Sequence, residues 1–322
     1  MNNLHKITIL LISIMGFSCD KEMNINAEYQ ETMIVYGLIN PNDSISYLRI
    51  QKGFLSSENI YDAAQIQDSN QYSHKLEVKI ISGHQTITFD TITFKDKDEG
   101  VFFAPEEQLY YAVTKGLLHP RDSILLKIRN PHNNHITTAV GIPHNTDHIS
   151  FSYPRYNINF ENNQDIIFNS IKNARIYEFT LRFHYMEHEP DKPETAVYKY
   201  FDWRFPDFIS RSTLGGEEIL YSYQGEEFYT QLYDKVPETS EFERYYGQIE
   251  LRISTADNEY YIYSTSNLPS HTPNNDDILY SNINNGLGLF ANRSNLEVFY
   301  NMDLYTKFKI QSLEGLNFKG GY

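Results

Sequence analysis

The chain has a single cysteine, Cys19, and a single tryptophan, Trp203, in 322 residues. One cysteine excludes an internal disulfide and a thiolate metal cluster, so stability has to come from burial. Positive charge is scarce too: 27 lysines and arginines face 42 acids, a formal net charge of −15. That balance repels phosphate backbones and anionic lipid, which argues against nucleic acid as a partner. No apolar run reaches the length of about 20 residues that a helix needs to cross a bilayer. The sequence has no Gly-x-Ser-x-Gly and no phosphate loop, and no pair of carboxylates stands in a context that names a glycosidase dyad. These absences leave no catalytic residue, metal or cofactor to nominate, and the chain reads as a non-enzyme.

What is present begins at the N-terminus. Lys6 precedes an apolar core of Ile7, Ile9, Leu10, Leu11, Ile12, Ile14 and Met15, which has the length of a secretory leader and is too short for a membrane span. Gly16 and Ser18 lead into Cys19, and the stretch resembles a bacterial lipobox, although Phe17 is bulky for its position and Gly16 stands where leucine is common. The resemblance implies a signal peptide over residues 1–18 and lipidation of Cys19, with several acyl chains giving a stable anchor. Asp20, Lys21 and Glu22 then resemble the acidic signal that sends Bacteroidetes lipoproteins to the cell surface. Residues 19–31 are polar and aperiodic and read as the tether.

The mature chain is long enough for two domains, and its 26 tyrosines and 20 phenylalanines suit strands. Expected strands at 32–39 and 45–54 flank the turn Asn40-Pro41-Asn42-Asp43; alternation over 76–82 and 86–94 predicts a second hairpin. Short strands at 101–103, 109–113, 123–128 and 136–141 continue at the spacing of an antiparallel sandwich. Residues 59–67 suit one helical turn. The fold class expected is therefore mainly β: an N-terminal immunoglobulin-like antiparallel β-sandwich over 32–145, then a second β-rich domain with one or two short helices over 146–322. In that second domain Tyr177, Phe179, Leu181, Phe183 and Tyr185 alternate with polar residues, so a strand at 175–185 pairs with 196–205. Helical spacing over 225–236 ends at Pro237, a strand follows at 247–254, and Asp257 is placed to cap a short helix at 258–265.

Three short patterns imitate chemistry. His184-Tyr185-Met186-Glu187-His188 fits the inverted zinc-protease motif, but at the end of a strand its histidines stand about 13 Å apart with the glutamate on the opposite face. They read instead as solvated residues at a hairpin end. Asp96 to Gly100 with Glu107 approaches a calcium loop but puts Gly100 where an oxygen ligand belongs and Val101 where the glycine turn belongs. It reads as a charged hairpin turn, and the polar cluster at 274–277 reads as a loop. Gly286-Leu287-Gly288-Leu289-Phe290-Ala291 imitates the dinucleotide fingerprint without the βαβ unit or the following acid that the fingerprint needs. Its glycines read as allowing a bulge or close packing, with Leu287, Leu289 or Phe290 entering the core.

That stretch, with Tyr280, Asn282, Ile283, Asn285, Gly286, Gly288 and Phe290, also carries a signature. Together with Val35-Tyr36-Gly37-Leu38-Ile39-Asn40-Pro41, the block at 47–55, the strand at 176–185 and Trp203, it resembles a Bacteroidetes surface lipoprotein family of unknown function. The resemblance spans nearly the whole mature chain. It implies a lipid-anchored protein of the outer membrane or cell surface that binds a ligand or partner beside a TonB-dependent uptake receptor, and it brings no catalytic residues; a structural or adhesive surface protein is the second reading and a secreted hydrolase the third.

Overall fold

The structure is a computed structural model that describes residues 32–53, 59–119, 122–266 and 280–322. The leader, Cys19, the tether with Asp20, Lys21 and Glu22, and the cluster at 274–277 lie outside the described residues.

The molecule is mainly β. In the first region the strands are β1 (Met33–Ile39), β2 (Ile45–Lys52), β3 (Glu77–Ser82), β4 (Gln85–Thr88), β5 (Asp90–Phe94), β6 (Glu107–Val113), β7 (Ile124–Arg129) and β8 (Ile136–Gly141), with helices α1 (Ile60–Ala64) and α2 (Gln67–Asn70) between β2 and β3. The second region adds β9 (Phe151–Tyr153), β10 (Asn157–Ile158), β11 (Gln164–Asn169), β12 (Ile176–Glu189), β13 (Lys192–Arg204), β14 (Phe208–Ile209), β15 (Glu218–Tyr223), α3 (Gly225–Lys235), β16 (Glu243–Ala256), α4 (Asn258–Ser266), β17 (Gly286–Met302), α5 (Leu304–Ser312) and β18 (Phe318–Gly321).

One long sheet runs through both regions in the order β13-β12-β16-β17-β1-β2-β6-β5. A four-stranded sheet, β4-β3-β7-β8, faces its β1-β2-β6-β5 end, and Val35, Leu48, Tyr110, Val78, Ile80, Leu126 and Ile128 fill the space between. A three-stranded sheet, β15-β11-β9, together with α3, covers the other end through Phe168, Ile219, Tyr221, Phe228 and Leu232, which meet Tyr177, Phe179, Leu181 and Phe183 of β12. Both ends are thus layered, sheet on sheet.

β17 joins the two. Its second half pairs antiparallel with β16, from Ile249 opposite Tyr300 to Ala256 opposite Arg293, and its first half pairs parallel with β1, from Met33 opposite Gly286 to Ile39 opposite Asn292. Ile283 and Phe290 therefore pack into the first core, although sequence order assigns them to the second region.

Several expectations differ from the structure in detail. The strand expected over 86–94 breaks at Phe89, which is almost wholly buried; β4 before it belongs to the four-stranded sheet and β5 after it to the long sheet, so the chain changes layers there. Residues 101–103 form no strand: they lie in the connection between β5 and β6, where the Phe103 amide donates to the Ala64 carbonyl at 3.0 Å. The histidine motif is indeed on a strand, but its end is not solvated. His188 is buried and stacks on Tyr245 with ring centroids 5.1 Å apart, and Glu187 is buried between Lys199 and Arg244. Burial alone would raise the Glu187 carboxyl, and those two cations hold it below its ordinary value. β11, β15, α5 and β18 have no counterpart among the expected elements.

Candidate functional site

β-strands present alternate residues to opposite faces, and the strands of the long sheet follow that period in the second region apart from register shifts at Phe183–Tyr185 and Glu187–Glu189. Tyr177, Phe179, Leu181 and Phe183 point to the core, as do Phe201 and Trp203, Ile249, Leu251 and Ile253, and Tyr300 and Met302. The residues between them form the other face of β13-β12-β16-β17, where the described residues place no second layer.

Pairing register fixes what lies side by side on that outer face. Arg204, Thr180, Arg252 and Glu297 form one row across four strands; Asp202, Arg182, Glu250 and Phe299 form the next. Tyr200 and His184 begin a third, and Gln248 donates to Asn301 on the same side at 3.3 Å. Opposite charges therefore meet within and across rows. Arg182 grips Asp202 with two hydrogen bonds of 2.7 and 2.9 Å while its guanidinium lies 3.7 Å over the Tyr200 ring. Arg252 reaches both Glu250 and Glu297 at 3.1 Å, His184 Nε2 meets Glu250 at 2.7 Å, and Arg293 meets Glu178 at 2.8 Å. The Arg182 guanidinium holds the Asp202 carboxyl below its ordinary value. A shallow depression of about 280 Å³ lies over the Glu178, Asp202, Arg204, Arg252 and Glu297 part of this lattice.

Aromatic rings interrupt the charges. Tyr198, Tyr200 and Phe299 stand on this face with 69%, 55% and 51% of their surface exposed, and the His184 ring sits between the last two with centroids 6.2 and 6.1 Å away. Large rings left in water beside one another mark a surface made to be covered.

Concave regions also lie away from this face. A cleft of about 680 Å³ lies where the regions meet, lined by His119, His144, His148 and Lys172 among others. His144 is buried there. The hydroxyl of Thr255 donates to the Ser294 carbonyl at 3.1 Å, so His144 Nε2, 2.7 Å away, must donate to Thr255, which leaves the proton off Nδ1. Burial pushes the imidazole down to about 4. Nearby, Asp257 is buried and accepts from the amide and side chain of Asn292 at 2.8 and 2.9 Å and, as the expected helix cap, from the Tyr260 amide at 3.0 Å; burial nevertheless raises its carboxyl to about 6. A third cleft of about 590 Å³ lies under α1 against the outer side of β1 and β2, with Ile34, Tyr36, Tyr61 and Phe102 on its walls. Among the described residues no three of His, Cys, Asp and Glu are grouped to hold a metal ion.

The signature residues are brought together as a structural unit. The Asn282 side chain pairs with the backbone of Phe290 as a strand would, donating to its carbonyl at 2.7 Å and accepting from its amide at 2.9 Å. Asn285 has a left-handed backbone, φ 56°, donates from its side chain to the Ile136 carbonyl at 3.2 Å, and accepts the Thr137 hydroxyl on its own carbonyl at 3.0 Å. Gly286 and Gly288 lie against Met33 and Val35, and Phe290 is buried beneath. None of them faces the charged and aromatic surface. Asp96 to Gly100 lies in the β5–β6 connection, where the Gly100 carbonyl accepts from the Gln65 side chain at 2.7 Å.

The sequence placed Arg182, His184 and Thr180 opposite the aromatic face of β12 but did not identify Asp202, Glu250, Arg252, Glu297 or Phe299. The signal was available: Arg293, Asn295, Glu297, Phe299 and Asn301 alternate with Ser294, Leu296, Val298 and Tyr300. Among the described residues no helix is long and apolar enough to cross a membrane. Compared with known proteins, the chain matches no family model and no curated protein.

Proposed function

We propose that this chain is a non-catalytic lipoprotein, anchored through Cys19 to the outer membrane and displayed at the cell surface, that binds a ligand on the open face of β13-β12-β16-β17 as an accessory to a TonB-dependent uptake receptor. The observation that carries the binding role is the group of exposed rings, Tyr198, Tyr200 and Phe299, set in a lattice of paired charges on a sheet face over which the described residues place no second layer. Neighbouring rings left in water are what a binding surface needs and what a purely structural surface avoids. The lipobox resemblance supports the anchor, and Asp20, Lys21 and Glu22 support display. The two facing sheets of the first region support an immunoglobulin-like reading of that part.

Affinity purification of the tagged full chain from detergent-solubilised outer membranes tests the role. A receptor of the TonB-dependent class in stoichiometric amount is the expected result. Matrix or fibre components in its place would point to adhesion.

A further inference from the structure

We infer that the ligand of this face is an uncharged, hydroxyl-rich polymer: a neutral glycan chain laid across strands β13, β12, β16 and β17. The inference rests on the reading of that face as the binding face and adds the chemistry of what it holds.

Charge is the first argument. Each cation of the face has a carboxylate beside it: Arg182 with Asp202, Arg252 with Glu250 and Glu297, Arg293 with Glu178, and Arg204 with Asp207 at 3.1 Å. In a chain of net charge −15, these four arginines face five carboxylates, so the surface is close to balanced and offers an ionic ligand no free cation among the groups named. A polyanion would have to displace carboxylates from arginines, and a polycation would have to do the reverse.

The paired groups still have hydrogen-bonding capacity. A guanidinium has five N–H donors, of which Arg182 gives two to Asp202, and a carboxylate has about four acceptor positions. A hydroxyl both donates and accepts, so a ligand rich in hydroxyls can add to guanidinium and carboxylate alike without separating any pair. Gln248 and Asn301 extend the same capacity at the side of Phe299.

Rings supply the rest. A pyranose has a flat face of C–H groups that stacks on an aromatic ring, and the His184 ring stands 6.2 Å from Tyr200 and 6.1 Å from Phe299, centroid to centroid. The three rings belong to β13, β12 and β17, so a ligand that covers them lies across the strands. Tyr198 lengthens the platform on β13, and the Tyr322 ring stands 5.5 Å from it. The platform thus offers stacking to more than one sugar, which suits a chain better than a monosaccharide.

The test is isothermal titration of the full chain in detergent with neutral oligosaccharides of six sugars, from several glucan, xylan and mannan types, and with an acidic oligogalacturonate. Binding by at least one neutral oligosaccharide is expected, insensitive to added salt. Tyr200→Ala and Phe299→Ala should each weaken it about tenfold, the equivalent of about 1.4 kcal/mol, at unchanged melting temperature. Lys172→Ala, in the separate cleft between the regions, should leave it unchanged. The inference is overturned if none of the neutral compounds binds, if only the acidic one does, or if binding survives both ring substitutions. If the glycans fail while receptor capture still depends on Tyr200 and Phe299, the ligand class is wrong and the binding role stands; loss of both removes both.

Discussion

Gly288 approaches Val35 so closely that a Cβ on the glycine would lie 2.0 Å from the Val35 carbonyl oxygen. The contact is made where β17 runs parallel beside β1, and Gly288 has φ +115°, a backbone conformation that side chains strain. Two strands distant in sequence are thereby held at backbone contact, and the seam between the two regions is set there.

Gly288→Ala should therefore destabilise the protein by about 2 to 4 kcal/mol, from backbone strain together with displacement of β1. Gly286→Ala should cost less, because its added Cβ would meet the Met33 carbonyl oxygen at 2.7 Å and lacks the φ penalty. Thermal melts of the two variants in parallel check the order; equal melting of Gly288→Ala and the parent would refute the contact.

Two buried groups near that seam titrate in opposite directions. His144 is held down to about 4 from 6.5, so its contribution to stability is fully present above pH 6.5 and is lost as pH falls through 4. Asp257 is raised to about 6 from 3.8, so its contribution is present below pH 3.8 and is lost as pH rises through 6. Each shift corresponds to about 3 kcal/mol, and the two largely offset each other between pH 4 and 6.5. His144→Gln removes one side of that balance. Its deficit relative to wild type should be largest at neutral pH and should shrink by up to about 3 kcal/mol toward pH 4, read from urea unfolding at both ends. A deficit constant with pH would show that His144 is protonated as easily folded as unfolded.

How much of this was legible in the sequence depends on which residues carried it. The alternation of Tyr177, Phe179, Leu181 and Phe183 gave β12 and its face, and Pro237 after the spacing of Phe228, Tyr229 and Leu232 gave the end of α3, because period and breakers are local signals. Phe89 could not be read that way: alternation continues through it, and only the positions of two sheets in space show that the chain leaves one for the other. The parallel pairing of β1 with β17 joins residues some 250 positions apart and leaves no local mark except the two glycines. The outer face was half legible. Arg182 and His184 were placed on it, but the partners that define it as a surface, Asp202, Glu250 and Phe299, come from three other strands, and register decides who meets whom.

The proposed anchor rests on one residue. If Cys19 carries the lipid, Cys19→Ala should move the protein from the membrane fraction to the soluble periplasmic or secreted fraction. Metabolic labelling with a radioactive fatty acid checks it, and label still entering the variant would place the lipid elsewhere.

The central claim is that the open face of β13-β12-β16-β17 is where this protein binds. The direct measurement is capture from solubilised outer membranes by the wild-type chain and by a Tyr200→Ala, Phe299→Ala double variant with matched melting temperature and matched membrane levels. The account predicts a receptor and bound glycan recovered with wild type and both lost with the double variant. Equal recovery with the two proteins would contradict it.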